Sequence, residues 1–170
     1  WVPGLLGADG IIDPEAIHEA RKFVQQMLAA SLKEDFLAVY HANEDQEPYP
    51  TDLDSMGKRS LKNPCLGYLT ELEDDDVRTL CVKQYRSGGN MTDVISALVN
   101  LANNECKERE EALASFHEKW KHDPLVMDKW LAIQATSRLP NTLETVKKLM
   151  THPVFSIKNP NKVRALIGAF

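Results

Sequence analysis

Residues 92–150, TDVISALVNLANNECKEREEALASFHEKWKHDPLVMDKWLAIQATSRLPNTLETVKKLM, hold four apolar runs, each with its own opening and its own stop. Thr92-Asp93 opens residues 94–101, and Glu105 or Cys106 opens a run that ends near Lys121. Asp123-Pro124 opens 125–135, and Asn141-Thr142 opens 143–150. Such openings make physical sense, because a short polar side chain accepts hydrogen bonds from the unpaired N–H groups of a first turn and proline presets φ there. Runs this short do not hold as isolated helices in water, so each must bury its apolar face on a neighbour. No convincing β-hairpin signal occurs, and the turns are only a few residues long. The expectation is an all-α fold: an α-α superhelix, an armadillo-like array of short paired helices. No self-similar period is found in the sequence, so the repeat is structural only.

The pattern continues on both sides. Toward the N-terminus, Asp13-Pro14-Glu15 reads as a helix start, followed by Ile17, Ala20, Val24, Met27, Leu28 and Ser31 at three- and four-residue steps. The helix continues or restarts through Phe36, Val39 and Tyr40, and residues 43–50, with Pro48 and Pro50, read as a loop. Leu53, Met56, Leu61, Leu66, Tyr68 and Leu69 mark another helix, which Pro64 is expected to kink or divide. The acidic run from Glu73 to Asp76 caps a helix through Val77, Leu80, Cys81 and Tyr85 that stops at Ser87-Gly88-Gly89. Toward the C-terminus, Asn159-Pro160-Asn161 opens a last helix carrying Val163, Leu166, Ile167 and Phe170. An exposed apolar patch is expected near Leu166, Ile167 and Phe170, with self-association as its consequence.

Composition narrows the functional classes. The 170 residues are 43% hydrophobic and 26% charged, the balance of a chain that fills a core. Twenty basic residues against 25 acidic ones leave a net charge of −5, without a basic block, so nucleic acid is not an expected partner. Cys65, Cys81 and Cys106 are odd in number and form no C-x-x-C pair, which points to three buried thiols in a reducing, cytoplasmic setting. Trp1 to Gly7 lacks the basic start and the run of about seven apolar residues of a signal peptide. No stretch approaches the ~18 apolar residues of a membrane span. The chain does not begin with Met, and an upstream targeting segment would not be visible in it.

Chemical motifs fail one by one. A zincin helix needs H-E-x-x-H, because imidazoles four residues apart converge on one ion. His18-Glu19 and His117-Glu118 both start that motif and both end it in lysine, at Lys22 and Lys121. His122 comes one residue too late, turned about 100° round a helix. His41 and His152 have no evident partner in the sequence. There is no G-x-S-x-G elbow, and Gly88-Gly89 is a turn rather than a phosphate loop. The acidic run at 73–76 lacks calcium-loop spacing, and Trp120 and Trp130 read as packing anchors. No catalytic residue and no metal ligand is assigned within the chain.

At Asn90-Met91-Thr92-Asp93, His122 to Trp130, Gln134-Ala135-Thr136-Ser137 and Asn159 to Phe170, the chain resembles the aminopeptidase N family. The likeness reaches back to Ile11-Ile12-Asp13-Pro14 and to Asn63-Pro64-Cys65-Leu66, so it covers nearly the whole chain in order; Pro64 stands where many relatives carry a helix former. The resemblance implies a zinc metallopeptidase that removes N-terminal residues from peptides. Its H-E-x-x-H motif and its zinc would sit on an upstream catalytic domain that this chain lacks. Residues 1–170 would be an incomplete C-terminal helical domain, covering the active-site chamber and limiting which peptides enter. The catalytic domain would then be the partner of this chain, and peptides the substrates of the whole enzyme. The resemblance also singles out Arg164, whose counterpart in the family points into the peptide chamber and works with a second basic residue beyond Phe170. The alternative is a free-standing armadillo-like interaction module, for which helical periodicity alone would serve.

Overall fold

The structure is a computed structural model that describes residues 13–44 and 53–170. The proline-containing part of the expected loop and the Ile11-Ile12 stretch lie outside the described residues. Within them the chain forms nine α-helices: α1 (Pro14–Ser31), α2 (Lys33–Ala42), α3 (Leu53–Leu69), α4 (Asp75–Ser87), α5 (Met91–Ala102), α6 (Lys107–Trp120), α7 (Pro124–Ala135), α8 (Thr142–Met150) and α9 (Pro160–Leu166). A 3-10 turn, Thr70–Leu72, follows α3. No strand occurs among the described residues.

Caps set most of the helix starts. Asp13 Oδ1 accepts from the N–H groups of Glu15 and Ala16, at 3.1 and 3.0 Å, with Pro14 in the first turn. Asp123 does the same for Leu125 and Val126 ahead of Pro124, and Asn159 for Asn161 ahead of Pro160. Asp74 caps α4 through Asp76 N–H and also pairs with Lys33 of α2. The start of α5 differs from the expected one. Asn90 is its cap, accepting from Asp93 N–H at 2.8 Å, so Asp93 lies inside the first turn and not at the opening. Cys106 precedes α6 without a side-chain cap bond and is only half-buried, unlike Cys65 and Cys81. Burial pushes the Cys81 thiol up to about 12, so it packs as an inert apolar group whose Sγ–H donates to Ala97 O.

Pro64 does not divide α3, which runs unbroken past it. The missing hydrogen bond is offset by what holds the helix on either side of the ring. Lys62 and Asn63 are tied to α5 before it, and Cys65, Leu66 and Leu69 are buried after it.

The packing order is that of a superhelix. Neighbours in sequence pack together, α2 on α3, α4 on α5 and α6 on α7, and helices two apart also touch: α3 with α5, α5 with α7, α4 with α6. This gives two staggered rows whose shared core includes Leu66, Leu98, Leu101, Phe116, Leu131 and Leu166. Each such side chain, fully buried, contributes about 1.5–3 kcal/mol.

Among the described residues, apolar side chains stay exposed on α1 and at the C-terminal end. On α1 only Ala29 is buried; Val24, Met27 and Leu28, from the stripe that periodicity marks as a core face, are exposed, and so is Phe23 beside them. At the C-terminal end Ile167 and Phe170 are exposed beside a groove lined by Leu139, Pro140, Leu143 and Ala169, whereas Leu166 is fully buried. Leu166 therefore belongs to the core and not to the expected patch, because it stands four residues after buried Lys162 on the face that docks on α7. Isolated in solution, the 170-residue chain is expected to self-associate through these surfaces. Sedimentation should show mass rising with concentration, and Phe170→Asp should lower it; a monomer at every concentration that also leaves a hydrophobic dye dark would refute this.

Candidate functional site

Arg164 lies on α9, a helix of seven residues that is too short to set its own orientation. Its placement comes from the opposite face. Lys162 is 6% exposed and Leu166 is fully buried, both turned onto α7. Arg164 follows Lys162 by two residues, about 200° round the helix, and is exposed. It makes no ion pair with a described carboxylate, and the residue is exposed.

The chain closes the helix tightly behind it. Ile167 and Gly168 N–H both donate to Val163 O, at 2.8 and 3.0 Å. A Cβ at Gly168 would stand 3.0 Å from Arg164 O, so a side chain there would press on the backbone that carries the arginine.

Under α9 lies an ion pair that sequence reading missed, with its lysine buried and its aspartate half-buried. Lys162 Nζ is 2.7 Å from Asp128 Oδ1 of α7 and donates to Pro124 O at 3.0 Å. Asp128 Oδ1 has no well-aligned hydrogen bond, so its only compensation is the charge contact. A second pair, Lys62 with Asp93 at 2.6 Å, has both partners buried and sits at the centre of a network spanning four helices. Asn63 and Asn90 also donate to the Asp93 carboxylate. Gln84 donates to Asn63 Oδ1 and Asp93 O, and Tyr40 OH donates to Gln84. Burial holds the Tyr40 hydroxyl well above its ordinary pKa, so it remains a donor.

The histidines do not converge on a metal geometry. His18 is exposed on α1, away from any described cluster of ligands. His117 and His152 do come together, with ring centroids 5.1 Å apart, but around Trp130, whose ring lies 5.0 and 5.4 Å from theirs. Val154 N–H donates to His152 Nδ1, so the neutral ring carries its proton on Nε2 and has no free nitrogen for an ion. Burial, and then His117, hold His152 below the ordinary imidazole pKa. Trp130 is buried and donates its indole N–H to Leu113 O at 3.0 Å, and half-buried Trp120 packs against the same core.

Comparison with known proteins adds what the geometry alone does not carry. Residues 6–170 match a family model described as a domain of unknown function (DUF3458_C) with ARM repeats. Aminopeptidase N of Escherichia coli K12 is 41% identical over 160 residues, covering 94% of this chain and 18% of that protein. Aminopeptidase N of Haemophilus influenzae is 42% identical over 161 residues with the same coverage.

The chain belongs to the aminopeptidase N family.

Within that family it is part of the C-terminal helical domain. A crystal structure of Legionella pneumophila aminopeptidase A in complex with aspartic acid superposes with a TM-score of 0.82 at 35% identity, covering 93% of this chain and 20% of that one. Aminopeptidase N of Caulobacter vibrioides is 33% identical over 158 residues, again with 18% of its length covered. The chain thus spans less than a fifth of the curated relatives it matches. The zinc that the family implies does not fit the described residues, where no group of three or more His, Cys, Asp or Glu could hold an ion. No described helix is long and apolar enough to cross a membrane.

Proposed function

We propose that this chain is an incomplete C-terminal helical domain of a zinc aminopeptidase that removes N-terminal residues from peptides. It covers the active-site chamber and limits which peptides enter, and Arg164 is the point at which it touches them. Zinc and the catalytic groups belong to a catalytic domain outside residues 1–170, which packs against this chain. One observation carries the reading of Arg164: an exposed arginine, unpaired with any described carboxylate, on a helix whose other face is locked. An arginine in that setting keeps its charge and can fork two hydrogen bonds to a peptide carboxylate or carbonyl. Family membership supports the rest.

The parent reading frame tests the domain assignment: H-E-x-x-H and a downstream glutamate should be encoded before Trp1, and their absence would favour a free-standing helical module. In the complete enzyme Arg164→Ala should raise KM about tenfold for peptides long enough to reach it, the value of a hydrogen bond to a charged group. Single-residue chromogenic substrates should lose far less. Equal losses on short and long substrates would return Arg164 to the solvated surface.

A further inference from the structure

We propose that the largely buried Lys162–Asp128 pair is a positioning device for Arg164, setting the rotation of α9 on α7 and with it the direction in which the guanidinium points. The inference rests on the reading of Arg164 given above and adds two residues to it.

Lysine is a poor choice for its place in the chain. Asn159 is the cap, so Lys162 sits in the first turn of α9, where the helix dipole favours anions and disfavours a cation. Its ammonium is also taken out of water, at 6% residue exposure. A largely buried ion pair of this kind adds little net stability over an apolar pair of similar volume, and its attested use is to fix registry. Both of its contacts serve that end. Pro124 and Asp128 stand one turn apart on the same face of α7, and Lys162 Nζ touches both, at 3.0 and 2.7 Å. An apolar contact at Leu166 alone would tolerate sliding and rotation, since hydrophobic attraction has no direction. A cation held between a carboxylate and a carbonyl does not.

The consequence falls on Arg164, because it projects from the far side of the same short helix. A turn of α9 by one residue's angle, about 100°, would carry the guanidinium from the solvent face toward the helix flank. Holding a contact group within a small angular range is what makes its interaction energy available to a bound ligand.

The test uses the complete enzyme and four variants: Arg164→Ala, the double replacement Lys162→Met with Asp128→Leu, the triple combination, and Asp128→Asn. The readout is the ratio of kcat/KM for a single-residue substrate to kcat/KM for a long peptide. The double variant should melt close to wild type and raise that ratio about threefold or more, through the KM of the long peptide and not its kcat. The triple variant should equal Arg164→Ala alone, since a misdirected arginine and an absent one lose the same contact. Asp128→Asn, which keeps the shape, should move the ratio in the same direction by less, and it decides the matter if the double variant is not recovered folded. A wild-type ratio in the double variant or in Asp128→Asn, while Arg164→Ala shows its loss, overturns the positioning role and leaves the Arg164 reading intact. Losses that multiply in the triple variant overturn it too. No change in Arg164→Ala removes both.

Discussion

Asp93→Ala is expected to destabilise the chain by about 3–5 kcal/mol, because it strips the partner from a buried ammonium rather than removing a pair. Lys62 and Asp93 are 5% and 4% exposed, so water cannot replace the lost carboxylate without opening the contact between α3 and α5. Asn63 and Asn90 lose an acceptor at the same stroke. Heat denaturation followed by circular dichroism should show the midpoint falling by about 10 °C for a chain of this size. A control separates a network from a single contact. Adding Lys62→Met to Asp93→Ala removes the orphaned charge and should recover a good part of the loss, since replacing both partners of a buried pair costs less than removing one. A midpoint within a degree or two of wild type for Asp93→Ala would mean that Lys62 finds solvent and that the network is not closed.

That site also marks where sequence reading reaches its limit. Proline and asparagine or aspartate at Asp13-Pro14, Asp123-Pro124 and Asn159-Pro160 announce helix starts because the cap and the first turn are local in sequence, and the structure places all three there. At α5 two acceptors compete within four residues. Asn90 takes the cap, and Asp93 moves one turn inward because it serves Lys62, 31 residues away, a partner that no local pattern reveals.

Periodicity has the same strength and the same blind spot. It finds the apolar stripe of α1 correctly and cannot say what covers it, and among the described residues most of that stripe is bare. The short helices of residues 92–150 are legible because each must pack to exist, yet contacts two apart, α5 with α7 among them and α5 with the earlier α3, depend on shape complementarity between rows. At the candidate site the family likeness pointed to Arg164, but the lock beneath it was illegible. An alternation of lysine and arginine at 162 and 164 looks like a solvated face, and only the half-buried carboxylate of Asp128, with its Oδ1 turned away from water, tells the two cations apart.

The histidines were legible as failed metal motifs but not as what they are. His117 lies on α6, Trp130 on α7 and His152 just after α8, so one indole collects three elements, and Trp130→Ala should cost about 3–5 kcal/mol. Trp130→Phe keeps most of the volume and gives up the bond to Leu113 O, for about 1 kcal/mol, since that carbonyl sits within α6 and keeps its helical setting. The two variants therefore separate packing from hydrogen bonding. A third effect is local. Burial depresses the pKa of His152, so the unfolded chain takes up the proton first; the stability that neutral His152 contributes is whole above the ordinary imidazole range and erodes as pH falls below it. Opening the site with Trp130→Ala lets water reach the ring, and the His152 pKa should rise toward its ordinary value. Proton NMR of the imidazole signals against pH measures that shift directly. If His152 titrates unchanged in Trp130→Ala, the indole does not keep it dry, and the depression arises elsewhere, with His117 the first group to replace.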